Sequence, residues 1–169
     1  MGISPHFMEK DKAFIEFILK NGRHYLPARL PDGVIRGPVG KCFDVTVVNA
    51  LRRPDLRYVE GIARDPRTEN RWVLHAWLTD ANPLKGMAYD PTWGHDTPIG
   101  VLPLLTDYIG IPIEGDLISR FMLSTEYVSV FANGWRDPVR ARECFPQILS
   151  TLIPVDQISN HFDMKALSQ

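Results

Sequence analysis

The sequence predicts an α+β fold, with helices segregated at the ends of a small antiparallel sheet. Three observations predict it. An apolar stripe at helical spacing lies between Glu9 and Gly22. Three strand-like runs separated by turn formers follow between residues 57 and 93, and the pattern from 116 onward is mainly helical. With 169 residues, 44% of them hydrophobic, the chain suits one domain, 1–169. A domain of that size buries about 70% of its unfolded surface.

Taken in order, Glu9 to Gly22 places Phe14, Ile15, Phe17 and Ile18 at helical spacing, with Asn21-Gly22 as the stop. Residues 23–41 are rich in Pro and Gly and read as an irregular loop. The stretch from Cys42 to Arg53 is ambiguous. Val45-Thr46-Val47-Val48 is β-branched and favours a strand. Yet Cys42, Val45, Asn49 and Arg53 share a helical face, and Pro54 supplies a stop. The runs 57–64, 71–79 and 86–93 then form an antiparallel meander through the turn-rich segments DPRTEN and DANPLK. YIGIPI, beginning at Tyr108, is a short strand or an extended loop. Segments around 116–131, 137–151 and 155–167 read as helices.

Composition narrows the function classes. Nineteen Lys and Arg against 20 Asp and Glu leave a net charge of -1, so no basic footprint points to nucleic acid. No apolar run approaches the ~20 residues that cross a bilayer. The first residues lack the pattern of a secretory signal, and His6 breaks the myristoylation pattern. The expectation is a cytoplasmic protein with no membrane or nucleic-acid partner and no cofactor. Its two cysteines, Cys42 and Cys144, suit free thiols in a reducing compartment, although one disulfide between them is compatible with the sequence. Cys144, in RARECFPQIL, reads as a packing residue.

Two polar residues stand out within the apolar runs: His75 in LHAW and Asp90 in YDPTW. Centring the second hairpin between Asn82 and Pro83 sets His75 opposite Asp90, Trp77 opposite Ala88 and Asp80 opposite Lys85. Opposed Cβ atoms stand about 4.5–5.5 Å apart, within reach of an imidazole–carboxylate bond. Centring the first hairpin between Arg67 and Thr68 sets Glu60 opposite His75, a second carboxylate beside the ring. Alternation puts Trp72, Leu74, Ala76 and Leu78 on a core face. Val73, His75, Trp77 and Thr79 fall on a mixed face where a site can open. Alone, His75 and Asp90 would more often be a structural pair than a catalytic one.

Cys42 changes that balance. A cysteine nucleophile needs a nearby base, and the base needs an acceptor on its other nitrogen. GPVGKCF delivers Cys42 after two glycines and a proline, where a loop-to-helix transition fits and a helix N-terminus favours a thiolate. Lys41 adds a cation there and Asp44 opposes it.

KCF, LHAW and YDPTW together resemble the transglutaminase-like branch of the papain-like cysteine enzymes, in which a Cys opens a helix, a His lies on one strand and an Asp on the next. More narrowly, KCF…YVEGIA…HAWLTD…YDPTW…YIGIPI is similar to a group of short bacterial and phage proteins of that type. The resemblance covers about residues 40–113, leaving 114–169 as a mainly helical addition. It implies a helix beginning at Cys42, with a catalytic triad of Cys42, His75 and Asp90. It also implies acyl transfer through a thioester on a protein, peptide or small amide substrate. Tyr58, Glu60, Trp77 and Trp93 are the expected substrate-side residues, and Tyr108 a weaker one. The sequence departs from the pattern after the Cys, where Val45-Thr46 replace an expected Asn-Ala and Asn49-Ala50 come one turn later. No Gln precedes Cys42; Arg36 and Gly37 occupy that region, which leaves the Cys42 backbone N–H as the expected oxyanion donor. A catalytically inactive binding protein on the same fold is the main alternative. A zinc site drawing on Cys, His and Asp, with His95-Asp96 nearby, is the third.

Overall fold

The computed structural model describes residues 9–65, 72–82, 86–93, 106–116 and 118–119. In chain order the elements are α1 (Glu9–Asn21), β1 (Arg23–Pro27), α2 (Cys42–Arg52), β2 (Leu56–Arg64), β3 (Trp72–Asp80), β4 (Met87–Ala88) and β5 (Tyr108–Ile113). The chain is therefore α+β. The helical segments expected after 119, together with Cys144, His95 and Asp96, lie outside the described residues.

The five strands form one sheet in the order β3-β2-β5-β1-β4. β2 pairs antiparallel with β3 and β5, β5 antiparallel with β1, and β1 parallel with β4. The outer edge of β3 meets the chain again just past β4. Leu78 N–H donates to Tyr89 C=O at 3.0 Å and Tyr89 N–H returns the bond at 2.8 Å. The sheet thus curls back toward its own edge. All five strands contribute to one cluster on the concave face: Tyr25, Val59, Ala63, Trp77, Ala88 and Tyr108, joined by Trp93. The convex face, with Tyr58, Ile62, Ala76, Leu78, Ile111 and Ile113, packs under Ile15, Phe17 and Ile18 of α1 and Val47 and Ala50 of α2.

The ambiguous stretch is a helix. Cys42, Thr46, Val47, Asn49 and Ala50 form one buried stripe along it, and burial against β2 and β3 overrides the β-branched propensity. Trp77 needs room on the concave floor, and Gly110 supplies it: a Cβ there would come within 2.6 Å of the indole.

Three expectations are corrected. Residues 23–27, expected as loop, are a strand; only Tyr25 is buried in β1, so there is no alternation to read. The three runs do not form a meander, because β5 inserts beside β2 and β4 pairs with β1 instead of forming a full ladder with β3. Both hairpin registers are also offset. Glu60 faces Ala76 and Gly61 faces His75, a slip of one residue that sends Glu60 to the convex face. The Leu78–Tyr89 bridge offsets the second register by two residues, and an even shift keeps Asp90 on the face of His75.

Candidate active site

The site lies where the β3–β4 seam opens. Beyond Tyr89 the chain leaves the ladder in a turn through Asp90, Pro91 and Thr92. Because Asp90 is a diagonal rather than a direct neighbour of His75, the far ring nitrogen makes the contact: Nε2 lies 2.6 Å from Asp90 Oδ2. Both residues are buried, His75 at 2% exposure and Asp90 at 6%.

Asp90 is held by its own turn. Its Oδ1 accepts from Thr92 N–H at 2.8 Å, Thr92 Oγ1–H at 2.9 Å and Trp93 N–H at 3.0 Å. Its Oδ2 accepts from Tyr108 O–H at 3.0 Å as well as from the imidazole. Burial by itself would raise the Asp90 carboxyl. The His75 charge and hydrogen bond, with the Trp93 and Thr92 N–H donors, instead hold it below the usual carboxylate range.

The thiol approaches from α2. Cys42 is the first helical residue, free and buried. Its side chain hydrogen-bonds His75, and with Nε2 committed to Asp90 the ring nitrogen left for sulfur is Nδ1. Burial works to lower the His75 pKa. The charge and hydrogen bond of Asp90, reinforced by those of Cys42, overcome it and push the group up to about 10. At neutral pH the ring is therefore an imidazolium, donating from both nitrogens. Trp93 stacks on it, ring centroids 3.9 Å apart and planes 17° apart, so one residue supplies both the lid on the ring and an N–H to its carboxylate.

The residues before Cys42 tie α2 to the Asp90 turn. Gly37 N–H donates to Pro91 C=O at 3.1 Å, and a Cβ on Gly37 would come within 2.2 Å of Val45 Cγ2. The Asn49 side chain clamps the same segment, accepting from Ile35 N–H at 2.7 Å and donating to Ile35 C=O at 2.8 Å. It also donates to Val45 C=O, so this amide is committed to structure and does not stand in for one beside the thiol. The first intrahelical bond runs from Val45 N–H to Lys41 C=O at 3.0 Å. The amides of Cys42, Phe43 and Asp44 precede that ladder and are the donors a developing oxyanion beside Cys42 would meet. Gly37 N–H is already spent on Pro91. Lys41 pairs with Asp44 at 3.4 Å on the exposed side.

The expected substrate-side residues divide. Trp93 is at the site. Trp77 is fully buried in the aromatic cluster, edge-on to Tyr25 and Tyr108. Tyr58 and Glu60, also fully buried, lie on the convex face, with Tyr58 O–H donating to Glu60 Oε2 at 2.9 Å. Neither flanks the imidazole. Tyr108, expected toward substrate, stands behind Asp90 instead. Sequence reasoning overlooked Thr92, although Asp followed by Pro and Thr is a signal for a side-chain-closed turn.

Among the described residues no group of three or more His, Cys, Asp or Glu could hold a metal ion. The imidazole stands between thiol and carboxylate instead of beside them around a common centre. Also among the described residues, no helix is long and apolar enough to cross a membrane. Comparison with protein-family models, with curated proteins and with solved structures finds no match to this chain.

Proposed function

We propose that this protein is a thiol-dependent acyl-transfer enzyme acting through Cys42, His75 and Asp90, on a transglutaminase-like version of the papain-like fold. One observation carries the reading: three elements distant in sequence bring a thiol, an imidazole and a multiply bonded carboxylate into one line of hydrogen bonds. A buried His–Asp pair alone would be structural. The thiol at a helix N-terminus gives the pair something to activate.

In this reading Cys42 reacts as the thiolate beside the His75 imidazolium. Sulfur attacks an amide or ester carbonyl carbon, an S–C bond forms, and the carbonyl π pair moves onto oxygen near the first amides of α2. Collapse breaks the bond to the leaving group as His75 delivers its proton to the departing amine or alcohol. Water or an amine then attacks the thioester, His75 takes the proton, and the C–S bond breaks to restore thiolate. Asp90 keeps the ring oriented throughout and balances its charge. The substrate is a protein, peptide or small amide.

Iodoacetamide labelling of Cys42, followed by peptide mass spectrometry, tests the reading without knowledge of the substrate. Labelling should be fast at pH 6.5, and His75→Ala should slow it about 10²-fold or more. Equal rates in both proteins would sink the proposal. The low exposure of Cys42, His75 and Asp90 favours a second reading, an inactive binding protein that keeps the triad as buried structure. That reading expects Cys42 to resist alkylation in the folded chain and to react only on unfolding.

A further inference from the structure

We infer that Tyr108 is a positioning residue that sets how strongly Asp90 pulls on the His75 proton, by donating its hydroxyl to the same carboxylate oxygen that faces the imidazole. The inference rests on the proposed role of His75 and deepens it. Two donors converge on Asp90 Oδ2, His75 Nε2–H at 2.6 Å and Tyr108 O–H at 3.0 Å, while Oδ1 is occupied by the Asp90 turn itself. The Oδ1 donors are local and would follow Asp90 wherever it moved. Tyr108 is different. It comes from β5, in the middle of the sheet, paired to β1 through Tyr25 and to β2 through Ala63. Its side chain has no exposed surface, and Trp77 lies edge-on against it with ring centroids 5.0 Å apart. The hydroxyl is therefore a fixed donor that ties the Asp90 turn to the central strand of the sheet.

Chemically, that bond withdraws charge from Oδ2. Burial and the neighbouring Asp90 charge hold the phenol protonated well above its ordinary range, so it stays a donor wherever the imidazole titrates. Among the described residues, the titratable groups that face the ring are Cys42 from α2, Asp90 and Tyr108; Tyr25 from β1 packs edge-on against Trp77. Without the Tyr108 bond, Asp90 becomes more basic and grips the imidazolium proton harder. A ring that gives up its proton less readily is a poorer acid toward the leaving group.

The test follows the His75 Cε1–H resonance by NMR through its alkaline transition in the intact chain. Tyr108→Phe should move that transition upward by about one unit, the scale of one hydrogen bond to a charged group. Replacing Tyr108 with 3-fluorotyrosine, a stronger donor of nearly the same shape, should move it downward. Opposite shifts in the two variants are the expected result. If Tyr108→Phe does not fold, the fluorotyrosine shift decides alone. Coincident transitions in all proteins, with only thermal stability reduced, would overturn the inference and leave Tyr108 a packing residue. The proposed function fails separately, by His75→Ala leaving Cys42 labelling unchanged.

Discussion

Two buried carboxylates lie on opposite faces of the same curled sheet, and each accepts a hydrogen bond from a tyrosine. Asp90 takes Tyr108 O–H at 3.0 Å on the concave side, and Glu60 takes Tyr58 O–H at 2.9 Å on the convex side. Their exposures are 6% and 0%, so burial does not distinguish them. What differs is the partner next along. Asp90 is bonded to an imidazole that continues to a thiol at the mouth of α2. Glu60 sits beneath α2 and accepts from a phenol whose ionisation is pushed far up by burial and then by the Glu60 charge, so this tyrosine offers no proton to exchange near neutrality. A buried acid becomes chemically useful through the titratable group it faces, and one residue of strand register decides which group that is.

The largest expected effect comes from removing the acid on the concave side. Asp90→Ala leaves a buried imidazolium without its counter-charge and strips acceptors from Thr92, Trp93 and Tyr108. Breaking one partner of a buried pair costs roughly 3–5 kcal/mol, which denaturant unfolding would read directly. Alkylation of Cys42 should fall with it. A loss under about 1 kcal/mol would mean the pair is screened like a surface contact, and would erase the contrast with Glu60.

How much of this could be read from the sequence follows from the range of the interactions. Within β3, alternation placed His75 and Trp77 on one face and Ala76 and Leu78 on the other, because that period is local. Asp90 landed on the correct face despite a register offset by two residues, since parity survives an even shift. Glu60 did not, because the slip there was odd. The position of β5 between β2 and β1 depends on pairing over long separations, which no local pattern encodes. The sequence accordingly suggests Tyr108 toward substrate, whereas the fold sets it behind Asp90. β1, with Tyr25 its only buried residue, carries almost no hydrophobic signal. The transglutaminase-like reading supplied the helix at Cys42, which local propensity left undecided between helix and strand.

A pH series sharpens the comparison at intermediate magnitude. The folded pKa of His75 is raised from 6.5 to about 10, so its contribution to stability is complete below about 6.5 and is lost as pH rises toward 10. Asp90 is depressed below 3.8. Its contribution is complete above that value and is lost as pH falls through the lower folded one. Thermal unfolding should therefore show a pair contribution that is greatest between about pH 4 and 6.5 and declines on the alkaline side. His75→Ala should flatten that alkaline decline. An unchanged slope would place the titrating group elsewhere.

The smallest effect belongs to Glu60→Gln. The amide oxygen can still accept from Tyr58, so one neutral hydrogen bond replaces a charge-assisted one, and the new N–H₂ must find acceptors in the same space. A cost of about 1–2 kcal/mol is expected. The informative measurement is Cys42 labelling in the same variant. Tyr58 lies close enough to Cys42 and Asp44 for their charges to bear on it, which places the pair under the first turn of α2. If that pair only supports the helix from below, labelling across pH should superpose on the parent protein. A shifted profile would show that the convex carboxylate also acts on the thiol, and the two sides of the sheet would then form one electrostatic unit.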